Sequence, residues 1–441
     1  MKRITLPIET KVREFYGKLW LSLNLVLRGN EVVLGHAPEI DRLIDIIKPD
    51  VYVSKDPANE DFFERLQSAG VRVCALDTEG AVFRTLDRYR EPRFAHSSQY
   101  TDAFFAWGPE PAKVLRETTG RDDNIYVTGN PRFDLLNREL RDIYLPELED
   151  IKYHDYVLVN TNFSTGNAFK WRDDLSIRAR TYERRLVSLF VEAILYAYSE
   201  DPTRTYIIRP HPSEDHSTYE RVFEGNDSIH VEHSGDVRPW IMGADLLVHV
   251  NCTTGIESAL LNKPVVAYRP IIDQDLDIEL PNAVSIEASN REELYQQIKH
   301  FSASEDEYYL DKRQRETLDK YFHNRDRSAT DAICDVIDGL ESGEKDFDSF
   351  EPTISDALER RVLASSGAPI AKRVHDSLRW ITGDQTRQRQ RKYTEQKFPG
   401  LSERDVLYGI RRFGQHIETA GIKVDRVPLA NDTFLIRKGT E

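Results

Sequence analysis

Two successive series of short β-rich runs alternating with helical stretches, a polar break between them, and a helical, basic region near the end predict the fold class of this 441-residue chain. It reads as α/β, two Rossmann-like domains facing across a cleft, with a helical C-terminal extension. The length, with 39% hydrophobic and 31% charged residues, suffices for two or three domains with full cores. Strands that each feed a helix pack best as a parallel sheet covered on both faces.

The elements follow in order. "KRITLPI" is a first strand, and "VREFYGKLWLSLNLVLRGN" is an amphipathic helix closed by Gly29, which can take the left-handed conformation at a helix end. "EVVLGH" is a second strand, "IDRLIDII" a helix, "VYVS" a third strand, "EDFFERLQSAG" a helix and "RVCALD" a fourth strand; "AFFAWG" and "IYVTGN" continue the pattern. After Asp134 the stretch "LNRELRDIYLPELEDIKYHD" loses periodicity and reads as the connection between domains. The second series runs through "YVLVNTNF", the long helix "RTYERRLVSLFVEAILYAYS", "TYIIRPHP", "IHVEH", the helix "VRPWIMGA", "LLVHVN", the helix "GIESALLN", "PVVAYR" and the helix "REELYQQIKHF". This gives domains over 1–135 and 154–300, a helical segment over 301–345 that packs back on them, and a basic extension over 346–441 ending in a strand pair around "VDRVPLANDTFLIRK".

Composition removes several classes of function. A formal charge of -15 argues against a dedicated nucleic-acid binder, which carries a basic domain or stripe. Cys74, Cys252 and Cys334 are far apart and lack metal-ligand spacing, so they read as reduced core thiols. The chain has no run long and apolar enough to cross a bilayer, and "MKRITLPIETKVREFYG" lacks a secretory apolar core, so a cytoplasmic protein is expected. Between Arg360 and Lys397 ten lysines and arginines gather against few acids: Arg360, Arg361, Lys372, Arg373, Arg379, Arg387, Arg389, Arg391, Lys392 and Lys397. Such a cluster is either a solvated helix face or a patch for anionic lipid headgroups, which would place the protein peripherally on a membrane.

Three loops of the second series lie at the carboxyl ends of predicted parallel strands, where α/β sheets bind ligands. They are "TNFSTGN" with Asn162, "PHPSED" following Arg209 and carrying His211 and Ser213, and "CTTGIESALL" with Thr253, Thr254 and Gly255 opening a helix. A helix start with free N–H groups attracts anions. Each motif alone reads as turn or cap chemistry; together they read as a pocket for a donor phosphate. Glu257, one turn into that helix, is placed to reach a ribose or sugar hydroxyl. In the first series "RVCALDTEGAVF" ends a strand with Asp77, Thr78, Glu79 and Gly80, where Gly80 lets the loop bend. Glu79, in a partly desolvated cleft, is a candidate general base. Arg13, Asp77 and Gly80 are assigned to the acceptor side.

The segments "PIETKVREFYGKLWLSLNLVLRGNEVVLG", "DTEG", "VTGNPRFDLL", "VLVNTNFSTGN", "IIRPHP" and "NCTTGIESALLNKPVVAYRP", in this order over roughly residues 1–335, resemble the surface carbohydrate biosynthesis protein family of GT-B-type glycosyltransferases. More distantly the layout is similar to bacterial polysialyltransferases and to CDP-glycerol glycerophosphotransferases. The resemblance implies that Glu79 matches the catalytic base, since the sialyltransferases place a carboxylate before that glycine. The glycerophosphotransferases have a histidine there, which makes a polyol-phosphate donor the poorer match. It implies that His211 and Arg209 match the His-Pro loop holding the donor phosphate, and that Thr253 and Thr254 match the hydroxyl motif beside it. The expectation is an inverting transfer of a sugar, a CMP-linked acidic sugar among the candidates, from a nucleotide donor on the second domain to a surface polysaccharide or lipid-linked glycan on the first. No cofactor and no metal are expected; "DQDLD" at 273–277 has a metal-like spacing but reads as a surface acidic loop. The alternatives are a non-hydrolysing sugar-nucleotide epimerase and a catalytically silent nucleotide-binding member of the same fold.

Overall fold

The apolar runs of the first series become strands buried on both faces: β1 (Arg3–Ile8), β2 (Glu31–His36), β3 (Val51–Ser54), β4 (Arg72–Leu76), β5 (Ala103–Ala106) and β6 (Ile125–Val127). The second series gives β7 (Tyr156–Asn160), β8 (Thr205–Arg209), β9 (Ile229–Val231), β10 (Leu246–His249), β11 (Val265–Tyr268) and β12 (Ile286–Ala288), and the C-terminal stretch adds β13 (Ile422–Arg426) and β14 (Thr433–Lys438). In this computed structural model the described residues are 1–55, 60–77, 90, 96–163, 165–167, 177–303, 307–322, 327–350 and 397–439. The chain divides into two units, one of Met1–Thr78, Tyr89–Asp134 and His323–Glu441, the other built on Leu135–Phe322.

The first unit holds an eight-stranded sheet in the order β13-β14-β2-β1-β3-β4-β5-β6. From β2 to β6 the pairing is parallel, with Arg3 opposite Glu31 and Ile8 opposite His36. Ile4, Leu6, Ile8, Val32 and Leu34 are fully buried, and each such side chain contributes about 1.5–3 kcal/mol through removal from water. The helix α1 (Lys11–Leu27) crosses from β1 to β2. Its leucines 19, 21, 23 and 25 are all buried, because the turn Pro131–Asp134 and the helices Ala329–Gly339 and Glu403–Phe413 pack on it besides the sheet.

The expected C-terminal strand pair is present, and it is an integral part of the first sheet. β14 lies antiparallel to β2, with Phe434 opposite Leu34, and Phe434 and Ile436 are fully buried. The 301–345 segment divides: the helix Lys312–Tyr321 belongs to the second unit and the helix Ala329–Gly339 to the first. Asp134 anchors the latter, accepting from the backbone N–H groups of Ala329 (2.9 Å) and Thr330 (2.8 Å) and from the Thr330 hydroxyl (2.7 Å). A carboxylate on otherwise unpaired N–H groups caps the helix and complements its dipole. Of the basic cluster only Lys397 is among the described residues, where it pairs with Glu9 at 2.9 Å; Arg360, Arg361, Lys372, Arg373, Arg379, Arg387, Arg389, Arg391 and Lys392 lie outside them.

The second unit is a six-stranded parallel sheet in the order β12-β11-β10-β7-β8-β9. The chain runs outward from β7 through β8 to β9, then returns to the other side of β7 for β10, β11 and β12. The order therefore reverses between β7 and β10, and connections leave the carboxyl ends of these two strands in opposite directions, opening a crevice there. The core beneath is formed by Val157, Val159, Phe190, Ile194, Tyr206, Ile208 and Val248, among others. The class predicted from the sequence, α/β with two Rossmann-like sheets, is the one found. Among the described residues no helix is long and apolar enough to cross a membrane.

Candidate functional site

Strands β7 and β10 are in register, with Asn160 opposite His249, so the residues that follow them meet at the point of reversal. The Asn162 amide donates to the Asn251 carbonyl at 2.7 Å and ties the two loops together. Asn251 has φ +48°, the left-handed region that asparagine tolerates better than most residues. Its side chain secures that bend, accepting from the Ile278 N–H (3.1 Å) and the Asn282 amide (2.7 Å) and donating to Asp277 (3.1 Å). Asp277 also accepts from the Tyr182 hydroxyl (2.5 Å) and from Arg269 (3.0 Å). The acidic loop at 273–277 is thus only partly a surface loop: Asp273 and Asp275 pair with exposed Arg178, while Asp277 is buried and shapes the crevice.

The His-Pro loop after β8 sits beside this bridge. The Ser213 backbone N–H donates to His211 Nδ1 at 3.2 Å and the Ser213 hydroxyl lies 2.6 Å from the same nitrogen. An Nδ1 that accepts leaves the ring proton of the neutral imidazole on Nε2, making that nitrogen a hydrogen-bond donor. Beneath the loop lies Glu214, fully buried. Its carboxyl accepts from the Tyr219 hydroxyl (2.6 Å), the Thr161 hydroxyl (2.7 Å) and the His211 N–H (3.1 Å). One side chain therefore clamps the loop after β7 to the loop after β8. Burial raises the Glu214 pKa above the usual carboxylate range and outweighs these hydrogen bonds.

Arg209, the last residue of β8, is 7% exposed. Its Nη2 donates to the carbonyls of Ser234 and Gly235, both at 3.0 Å, and the guanidinium stands 4.9 Å over the Trp240 ring. Burial lowers its pKa to about 10 against the opposing pull of Asp236 and Glu232. Its Nη1 is buried with no hydrogen-bond partner among the described residues, a state that costs about 1–3 kcal/mol until water or a ligand satisfies it.

Thr253 occupies the N-cap position of the helix Thr254–Leu260 with φ -61° and ψ -19°, and its side chain makes no capping bond. The Thr254 hydroxyl donates to Cys252 Sγ at 3.1 Å. Gly255 has a packing reason to be glycine: a Cβ there would stand 2.6 Å from His249 Nε2. His249 is fully buried and paired with Ser285 at 2.8 Å, and burial lowers its pKa to about 3, so it stays neutral. Glu257 is held inside the unit by Arg238 (3.4 Å), which also binds Asp236 (2.8 Å) and the Tyr144 hydroxyl (2.9 Å).

In the first unit the carbonyl of Asp77, just past β4, accepts from the Trp107 indole (2.6 Å) and the Asn130 amide (2.9 Å). The strand end that leads to "DTEG" is thereby fixed. Glu79 and Gly80 lie outside the described residues. Arg13 lines a pocket together with Glu14, Lys18, Leu76, Asn130 and Arg132. The structure thus brings Asn162, His211, Ser213, Thr253 and Thr254 onto one sheet's carboxyl edge, and sets Arg13 and Asp77 at the corresponding edge of the other sheet. Glu214, Asn251 and Asp277 were missed by the sequence reasoning. Glu214 follows "RPHPS" directly, and a carboxylate inside a His-Pro loop was the one available signal.

No family model and no curated protein matches the chain. Solved structures do. The UDP-GlcNAc 2-epimerase of Methanocaldococcus jannaschii, in complex with UDP-GlcNAc and UDP, is 16% identical, covering 76% of this chain and 99% of its own, with a TM-score of 0.52. The S. aureus MnaA–UDP structure is 13% identical, covering 79% and 100%, with a TM-score of 0.50. A variant of the wall teichoic acid polymerase TagF is 14% identical, covering 76% and 87%, with a TM-score of 0.51. At such identities the likeness is one of fold, and the fold is the two-Rossmann, GT-B type.

Proposed function

We propose that the chain handles a nucleotide-activated sugar on its second unit and transfers the sugar to a surface polysaccharide or glycolipid acceptor. The observation that carries the reading is the loop cluster at the reversal of strand order, where His211, with its proton set on Nε2 by Ser213, adjoins the Asn162–Asn251 bridge. A neutral imidazole N–H, a buried guanidinium with an unused donor at Arg209, and the hydroxyls of Thr253 and Thr254 are the groups that a leaving nucleotide phosphate calls for.

In this reading Glu79 takes the proton from an acceptor hydroxyl, whose oxygen attacks the anomeric carbon from the face opposite the phosphate. The bond from that carbon to the phosphate oxygen breaks, the configuration inverts, and the negative charge on the departing phosphate is met by His211 and Arg209. The donors to compare are CMP-, UDP- and GDP-linked sugars, and the chemistry assigns no step to a metal.

A second reading, epimerisation of a nucleotide sugar, is favoured by the 2-epimerases among the structures of like fold. Incubating each donor with and without a glycan acceptor separates them: product that requires acceptor is the transferase result, and an epimerised donor without acceptor is the epimerase result. In the transferase case Glu79→Gln lowers turnover by roughly 10² to 10⁴ with donor affinity kept. Asp77→Asn, which keeps the anchored carbonyl, costs far less. The opposite ranking moves the base to Asp77.

A further inference from the structure

The eight-stranded sheet of the first unit ends on β13, which pairs with β14 and with no other strand among the described residues. Two bonds at its ends settle which backbone groups face which way. The Val427 N–H donates to the Thr433 carbonyl at 3.1 Å, and the Gly439 N–H donates to the Gly421 carbonyl at 2.7 Å. Inward and outward groups alternate along a strand of an antiparallel pair, so Gly421, Lys423, Asp425 and Val427 turn their N–H and C=O groups toward β14. Ile422, Val424 and Arg426 turn theirs outward. The Ile422 N–H is held by the Thr419 carbonyl at 3.3 Å, while the N–H and carbonyl of Val424 and of Arg426 bond to none of the described residues.

The side chains on this edge carry a charge pattern that the hairpin leaves unresolved. Lys423 and Asp425 share one face of β13 and are exposed. Lys423 stands directly opposite Arg437 on β14, and like charges so placed repel. Arg437 turns instead to Asp425, at 2.8 Å on the diagonal, and Lys423 makes no ion pair among the described residues. A lysine on an edge strand ordinarily deters further pairing. With an aspartate two residues on, it can instead select a partner of matching pattern.

We infer that β13 pairs with β13 of a second copy of this chain, antiparallel and about a two-fold axis at Val424, so that the first sheets of two copies run on as one. The axis then passes through the middle residue of a five-residue strand. Val424 exchanges N–H···O bonds with the partner's Val424, and the Arg426 N–H meets the partner's Ile422 carbonyl. Between these bonds Lys423 faces the partner's Asp425, and Asp425 faces the partner's Lys423. Such positions are the closer class in an antiparallel ladder, with Cα atoms about 4.5 Å apart. Sliding by one step of the ladder in either direction sets lysine against lysine or aspartate against aspartate, so the charges fix the register. The interface is isologous and closes at a dimer. A ladder this short is small beside a standard interface, so monomer and dimer exchange.

Sedimentation velocity of the full chain over a concentration series tests this. The wild type should pass from monomer to dimer as concentration rises. Lys423→Glu alone and Asp425→Lys alone each place like charges across the axis, and each should weaken association about tenfold or more. An equal mixture of these two variants brings opposite charges together again, so dimer should return as a heterodimer. Val424→Pro, which removes the outward N–H at a place where edge strands admit proline, should remain monomeric. A wild type that stays monomeric throughout overturns the inference, as does a dimer indifferent to these substitutions or a mixture that fails to associate. Amide exchange of Val424 that is slow at every dilution assigns the edge to a segment of the same chain and likewise overturns it. Melting temperatures of the dilute variants exclude loss of fold.

Discussion

Removing Glu214 is the sharpest perturbation of the His-Pro loop that leaves its chemistry-bearing residues in place. Glu214→Ala removes the acceptor of the buried Thr161 and Tyr219 hydroxyls, of the part-buried His211 N–H and of the Asn167 amide at 3.4 Å. The hydroxyls can turn toward other acceptors, whereas the backbone N–H cannot. With an unmet buried donor costing about 1–3 kcal/mol and a cavity added, local destabilisation of about 3–5 kcal/mol is expected. Glu214→Gln keeps the shape and one acceptor oxygen, so it should cost about 1 kcal/mol at acidic pH. The sign of the pH effect follows from the raised pKa of Glu214. The folded state binds more protons there than the unfolded chain, so wild-type stability is fullest below the unfolded carboxyl pKa of about 4.3. It falls as pH rises toward the folded value, and the Gln variant lacks this slope and gains on the wild type across that window. Amide hydrogen exchange of Tyr156–Asn160 and Thr205–Arg209 reads the local free energy directly. Protection of both strands unchanged in Glu214→Ala would refute the clamp.

Gly255→Ala forces a Cβ to within 2.6 Å of the buried His249 ring, whose Ser285 partner limits its retreat; a loss of about 1–3 kcal/mol by thermal or urea unfolding is expected, and a neutral result would mean that the helix start yields. The cluster from Arg360 to Lys397 predicts sedimentation with vesicles containing anionic lipid at low salt and release as salt rises, since screening acts over about 10 Å at 0.1 M. Equal partition to neutral and anionic vesicles would contradict it.

The alternation of apolar runs made the two sheets legible, because parallel strands buried on both faces leave unbroken Val, Ile and Leu stretches such as "VVL" in β2 and "VLV" in β7. Turn chemistry made the three loops legible as well. What escaped depends on partners distant in the chain. The one local mark of Glu214 is its place inside the His-Pro loop, and that mark does not name its partner Thr161, 53 residues away. Asn251 resembles any polar residue after a strand until Asp277 and Asn282 close on it. Arg209 carried a donor assignment from its motif, yet half of its guanidinium serves the Ser234–Gly235 turn. Glu257 looked available one turn into its helix, and only the fold reveals Arg238 beside it. The C-terminal strand pair was recognisable, but its place next to β2 is a register between residues 34 and 434 that no local pattern encodes.

The central claim, that the loops at the β7–β10 reversal hold the donor phosphate, is tested most directly by titrating nucleoside mono- and diphosphates into the wild type, His211→Ala, Ser213→Ala and Arg13→Gln by calorimetry. Loss of the imidazole donor should weaken the preferred nucleotide about tenfold to a hundredfold. Ser213→Ala removes the hydroxyl on Nδ1 but keeps the backbone N–H that sets the tautomer, so its loss should be smaller, while Arg13→Gln leaves nucleotide affinity unchanged. Equal affinity in the wild type and in His211→Ala would contradict the account.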